Sequence, residues 1–190
     1  MSVLAAQTLK EIGAIVERDR MLIAARQGGD MGEAPDKVAA LVETTQALAR
    51  MHAPHALIGG VAVGIHSGVP RATQDTDIAV RSTIDRARVV QCLISAGFRL
   101  AGEFPHSANF RHSSSEPVQL AFDPSFDAMI DRAEHFTIDD TSVPIVRRGD
   151  LIDMKERAAS DPSRRRSKAL RDRADVALLR GDVPEPDEGW

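Results

Sequence analysis

The chain has no tyrosine, one tryptophan (Trp190) and one cysteine (Cys92). A lone thiol cannot close an internal disulfide, and it rules out a cysteine-rich zinc site. With aromatics this scarce, the core has to come from Leu, Ile, Val and Ala. An apolar share of 43% over 190 residues still suffices for one domain, or a domain with a helical appendage. No apolar run approaches the roughly 20 residues needed to cross a bilayer, so no membrane association is expected. Charge enters early, at Lys10, Glu11 and Glu17 to Arg20, which does not read as a secretory leader. Together with the single cysteine, this points to a reducing cytoplasm. The histidines lack H-E-x-x-H spacing, and no G-x-S-x-G or P-loop occurs. These absences argue against an elbow-type hydrolase and a Walker-type NTPase.

Acidic and basic residues are unevenly spread. The net charge is −4, yet residues 147–180 carry +5, the last ten residues −4 and the stretch before Arg147 −5. The run Arg164-Arg165-Arg166 with Lys168 has no neighbouring aromatics to stack on bases, so it reads first as a solvated helix face. Contact with nucleic-acid phosphates is the weaker reading.

Apolar spacings of three, four and seven predict an amphipathic helix over 2–26, broken by the Gly- and Pro-rich stretch 27–35. Asp36 is the expected N-cap of a second helix reaching about Met51. Next come a short strand within 53–58, a helix over about 60–66 ending near Gly68, and a strand over 76–80. A helix over 83–96, with Gly97 as its C-cap, precedes three meander strands at 98–101, 108–112 and 117–122. A helix over 124–133, strands at 135–138 and 143–146, and helices over 150–160 and 163–180 complete the chain. This order predicts an α+β fold, an α/β palm with a mixed β-sheet and helices at both ends. Its expected segments are 1–52 (N-terminal helices), 53–147 (the palm) and 148–190 (a helical segment with an acidic tail).

Chemistry concentrates between Leu57 and Val80. Gly59 and Gly60 follow an apolar run and allow the backbone to turn sharply and approach a ligand. A helix starting there would present free N–H groups and its positive dipole end to an anion. Asp75 and Asp77 are two residues apart at a strand entrance, so both carboxylates would face one side of a sheet. Two such acids repel unless a cation lies between them, and Mg²⁺ takes one or two carboxylates together with substrate phosphates. An Asp-Thr-Asp turn is the purely structural alternative.

This stretch resembles the nucleotidyltransferase superfamily with the DNA polymerase β-type palm, and within it the minimal, AbiEii-toxin-like bacterial group. The likeness rests on Gly59-Gly60, then Ala62, His66, Gly68, Arg71 and Thr73, then Asp75-x-Asp77. It implies a metal-dependent enzyme that moves an NMP from an NTP to an RNA, protein or small-molecule acceptor, with Mg²⁺ (or Mn²⁺) as cofactor. It also implies a toxin–antitoxin setting, with an antitoxin as partner. Asp75 and Asp77 would hold the metal; Gly59, Gly60, Arg71, Thr73 and Lys155 would contact the nucleotide. The resemblance further implies a third carboxylate on a neighbouring strand. Gln119 occupies the natural position, and Asp123, with the same parity four residues on, is the candidate replacement, ahead of Asp127. If neither serves, the alternative is a catalytically impaired nucleotide- or partner-binding protein of the same fold. His66 is expected to be packed rather than to act as a ligand. Asp172 and Asp175, in a late helix resembling K-D-x-x-D, are expected to be surface ion-pair partners.

Overall fold

The structure, a computed structural model, describes residues 2–27 and 35–182. Helix α1 (Ser2–Gln27) is followed by α2 (Lys37–Arg50), β1 (His55–Leu57), α3 (Gly59–Ser67), β2 (Thr76–Val80) and α4 (Arg86–Ser95). Strands β3 (Arg99–Phe104), β4 (Ser107–Arg111) and β5 (Pro117–Ala121) form the meander. A 3₁₀ turn (Pro124–Phe126), α5 (Asp127–Asp131), β6 (Glu134–Ile138), β7 (Thr141–Ile145), α6 (Arg148–Ser160) and α7 (Arg166–Leu179) complete it. The fold is α+β, as the sequence predicts. The break expected over 27–35 lies largely outside the described residues.

All seven strands join one mixed sheet, ordered β3-β4-β5-β2-β1-β7-β6. Strand β1 runs antiparallel to β2, with Leu57 opposite Ile78, and parallel to β7, with Leu57 opposite Ile145. Strand β2 runs parallel to β5, with Asp77 beside Gln119. The central strands are apolar on both faces: Ala56, Leu57, Ile78, Ala79 and Val80 are all buried, as expected of strands covered on both sides. The meander strands alternate instead. Ala108, Phe110, Val118 and Leu120 enter the core, whereas Ser107, Asn109, Pro117, Gln119 and Ala121 are only half-buried on the other face.

Local chemistry sets the helix ends. The Asp36 carboxylate accepts from the Ala39 N–H at 2.9 Å and caps α2. Gly68, at φ 73°, closes α3 in the left-handed conformation. Helix α4 begins at Arg86 rather than at residue 83, because Asp85 is the cap, accepting from the Ala87 and Arg88 N–H groups. The helix expected over 124–133 divides into a 3₁₀ turn and the short α5. Asp123 caps the first, and Ser82 holds the Asp127 carboxylate through its N–H (2.8 Å) and hydroxyl (2.7 Å). Helix α7 begins at Arg166, after a turn in which Asp161 accepts from the Ser163 N–H and hydroxyl. Helix α1 packs on α3 so closely that a Cβ on Gly64 would lie 2.6 Å from Ile12 Cδ1.

Candidate active site

The chain enters the site from β1. Ile58 precedes α3, and its N–H donates to the Asp77 carbonyl at 2.9 Å. No side chain caps the start of α3, so its first N–H groups are left for another acceptor. Gly59 sits at φ 71°, and a Cβ there would lie 2.1 Å from Asp77 Oδ2. Both its backbone angle and its neighbour therefore demand glycine. A Cβ on Gly60 would lie 2.4 Å from an Arg71 guanidinium nitrogen and 2.7 Å from Thr73 Oγ1. The paired glycines thus bring together the helix start, Arg71, Thr73 and the Asp77 carboxylate.

Asp75 and Asp77 flank Thr76, the first residue of β2. Neither carboxylate has a hydrogen-bond or ion-pair partner among the described residues. Burial, then repulsion from Asp75, pushes the Asp77 carboxyl up to about 7, against the pull of Lys155, Lys37 and Arg71. A half-buried acid held this high beside a second, unpaired acid fits a hard divalent cation that uses carboxylate and phosphate oxygens. No group of three or more His, Cys, Asp or Glu among the described residues is placed to hold a metal alone. Two carboxylates would therefore need oxygens from a bound nucleotide to complete a coordination shell.

Lys155, on α6, reaches the same region. Its Nζ lies 2.8 Å from Asp175 Oδ2 and 3.1 Å from Asp172 Oδ1. Arg71 Nε lies 2.6 Å from Asp175 Oδ1, and Arg164 Nε lies 2.6 Å from Asp172 Oδ2. Asp172 and Asp175 are 2% and 0% exposed, not the surface partners expected from their spacing. Helix α7 packs on α3 and α6, so the two acids turn inward and hold two of the candidate phosphate-binding cations.

Gln119 occupies the expected place of the third carboxylate, directly across from Asp77. Asp123 does not stand in for it. It lies four residues further along the chain, about 13 Å at ordinary strand rise, toward the opposite end of β2. Its carboxylate is occupied by Ser125, whose side chain first and N–H (at 2.9 Å) second hold its pKa below the usual range. Asp127 is likewise committed to Ser82. His66 is buried, with Nε2 at 2.7 Å from the Val146 carbonyl, and burial lowers its pKa. It is a packing residue, as expected.

Sequence reasoning did not single out Lys37 and Glu116, a buried ion pair next to the Asp75–Asp77 turn. Lys37 carried one signal. It is a cation in the first turn of a helix, where the macrodipole disfavours one.

Several solved structures share this arrangement of helices and sheet. The lincosamide antibiotic adenylyltransferase LnuA, with lincomycin bound, matches with a TM-score of 0.55 and 14% identity, covering 80% of this chain and all of its own. An antigenic nucleotidyltransferase-like protein from Paracoccidioides brasiliensis matches at 0.55 and 20% identity, over 83% of this chain and 81% of its own. ANT(2")-Ia in complex with adenylyl-2"-tobramycin matches at 0.52 and 17% identity, over 76% and 90%. The fold is that of the nucleotidyltransferases. No protein-family model and no curated protein matches the chain. On this nucleotidyltransferase fold, the Gly59-Gly60 turn and the Asp75–Asp77 pair meet at one end of the central strands.

Proposed function

We propose that the chain is a metal-dependent nucleotidyltransferase that moves an NMP from an NTP to an acceptor. The observation that supports this best is the pair of carboxylates, Asp75 and Asp77, without a hydrogen-bond or ion-pair partner among the described residues, with Asp77 pressed against Gly59 at the start of α3. An acceptor oxygen would attack the α-phosphorus, a hydroxyl acceptor giving its proton to solvent, the bond to the β-phosphate would break, and diphosphate would leave. Mg²⁺ or Mn²⁺, held by Asp75 and Asp77, would supply charge neutralisation for the phosphates. The N–H groups of Gly59 and Gly60 would receive phosphate oxygens, and Thr73 would add a hydroxyl beside them. Arg71 and Lys155 would offset the charge that builds on the leaving diphosphate. Their neutralisation by Asp175 keeps both cations in place before the nucleotide arrives.

The half-buried row formed by Gln119 and Asn109 continues from Asp77 across β5 and β4. It offers a polar, uncharged floor for an acceptor. Small molecules are the first acceptors to test, because two of the similar structures carry antibiotics. RNA, a protein and an antitoxin complex, in a cytoplasmic setting, follow.

Gln119 favours a second reading, in which the protein binds a nucleotide or a partner without transferring efficiently. An amide can neither take the proton of an acceptor hydroxyl nor serve well as a hard-cation ligand. The test incubates the protein with Mg²⁺, α-labelled NTPs and separate pools of small-molecule, RNA and protein acceptors. Label transfer that disappears in Asp75→Ala and Asp77→Ala supports the enzyme. Nucleotide binding without transfer in any pool supports the second reading.

A further inference from the structure

On the side of β2 taken by Thr76, next to the two acids, lies a buried polar cluster. Lys37 Nζ, from the first turn of α2, donates to Glu116 Oε1 and to the Gln74 carbonyl, the latter at 3.3 Å. Thr76 Oγ1 donates to the same Glu116 oxygen at 3.2 Å. Both charged side chains are 1% exposed. Lys37 is tied further into its surroundings, since the preceding N–H, of Asp36, donates to Ser114 Oγ at 2.9 Å.

The bonds fall on the residues flanking and separating the acids. Gln74 immediately precedes Asp75, and Thr76 separates Asp75 from Asp77. The segment from Val69 to Gln74 has no helix or strand of its own, so β-ladder bonds do not hold Asp75 from that side. We propose that Lys37 and Glu116 are positioning residues, which set the spacing and direction of the Asp75 and Asp77 carboxylates for a divalent cation through Gln74 and Thr76.

This inference rests on the metal-binding reading of Asp75 and Asp77. Burying a lysine and a glutamate solely for stability gains little, because a neutral apolar pair of similar size often serves as well or better. What the ion pair adds is direction: two donors converge on one carboxylate oxygen, and a third bond holds the Gln74 carbonyl. Charge and geometry also make opposite predictions here. Lys37 acts electrostatically on Asp77 as a nearby cation. At a pH well above 7, where Asp77 is ionised, removing Lys37 would therefore strengthen divalent-cation binding if charge were all that mattered, and weaken it if geometry governs.

The experiment measures Mn²⁺ binding by electron paramagnetic resonance on the full chain. The variants are Lys37→Met, Thr76→Val and the double variant Lys37→Met/Glu116→Gln, with Asp77→Asn as the control. The double variant removes one charge of each sign, so its net charge is unchanged, and circular dichroism checks that it folds. Thr76→Val keeps the ion pair and shape and covers the case in which the double variant fails to fold. The expected result is Mn²⁺ affinity about tenfold weaker in Lys37→Met and in the double variant, and several-fold weaker in Thr76→Val. Affinity within twofold of wild type in the folded variants, or tighter binding in Lys37→Met, overturns the proposal and leaves the pair a stabilising feature only. If wild type itself binds Mn²⁺ no better than Asp77→Asn, the metal reading has failed instead.

Discussion

Replacing Asp77 with asparagine should make the metal-free protein more stable while removing its metal binding. Raising this carboxyl from 3.8 to about 7 means that its ionised form is disfavoured in the fold by about 4 kcal/mol, at about 1.4 kcal/mol per decade of acidity. An acid whose pKa is raised in the fold binds its proton more tightly there than in the unfolded chain. Its contribution to stability therefore declines as pH rises from about 4 to about 7, then levels off. Asparagine fills nearly the same space without the charge. At pH 8 in EDTA, Asp77→Asn is expected to gain about 2–4 kcal/mol, the lower figure allowing for relaxation around the ionised wild-type group. For a chain of this size that is a rise in Tm of roughly 4–15 °C. Near pH 4 the two proteins should melt together. Excess Mg²⁺ or Mn²⁺ at pH 8 should then raise the Tm of wild type and leave the variant unmoved, because only the wild type gains binding energy on folding. Thermal melts across pH, with EDTA and with metal, are the measurement. An asparagine variant equal to or less stable than wild type at pH 8 in EDTA would refute the account of Asp77 as a desolvated, unpaired acid.

Gly59→Ala should cost about 1–2 kcal/mol in denaturant unfolding from the left-handed backbone alone. It should also lower label transfer by about a hundredfold or more, since its Cβ would displace Asp77 Oδ2. Asp123→Ala should leave transfer within twofold of wild type and cost at most about 1 kcal/mol, the value of a lost cap; a large loss of transfer would restore it to the site. Asp175→Asn should destabilise the fold by roughly 3 kcal/mol in urea titrations, because it leaves Arg71 and Lys155 partly uncompensated around a buried position. Gln119→Asp should tighten Mn²⁺ binding by about tenfold in titrations, by placing a third carboxylate across from Asp77.

Short-range chemistry was readable along the chain. Asp36 before an apolar-periodic run is a cap wherever the helix later packs. Gly59-Gly60 requires a turn, and the 76–80 strand is legible from Ile78-Ala79-Val80 following a polar entrance. The pairing of Gly59 with Asp77 could be expected only from the resemblance, because nothing local indicates that a glycine's missing Cβ makes room for an acid eighteen residues away. Asp123 shows where parity misleads: it predicts which face a strand residue takes but not where the strand ends, and the cap to Ser125 ends it. The spacing of Asp172 and Asp175 equally suits a surface helix and a buried one. Only the packing of α7 on α3 and α6 turns them inward to Lys155 and Arg71.

By itself, the sequence determined the α+β class, the glycine turn and the two acids, because each depends on residue type and spacing over a few positions; that Gln119 stands where a third acid is expected was legible only through the resemblance. The tertiary structure alone decided that Gln119 lies directly beside Asp77, that Asp123 lies elsewhere, and that Lys37, Glu116, Asp172 and Asp175 surround the site. Those facts depend on strand register and helix docking between distant segments, where burial fixes charge partners that no local pattern encodes.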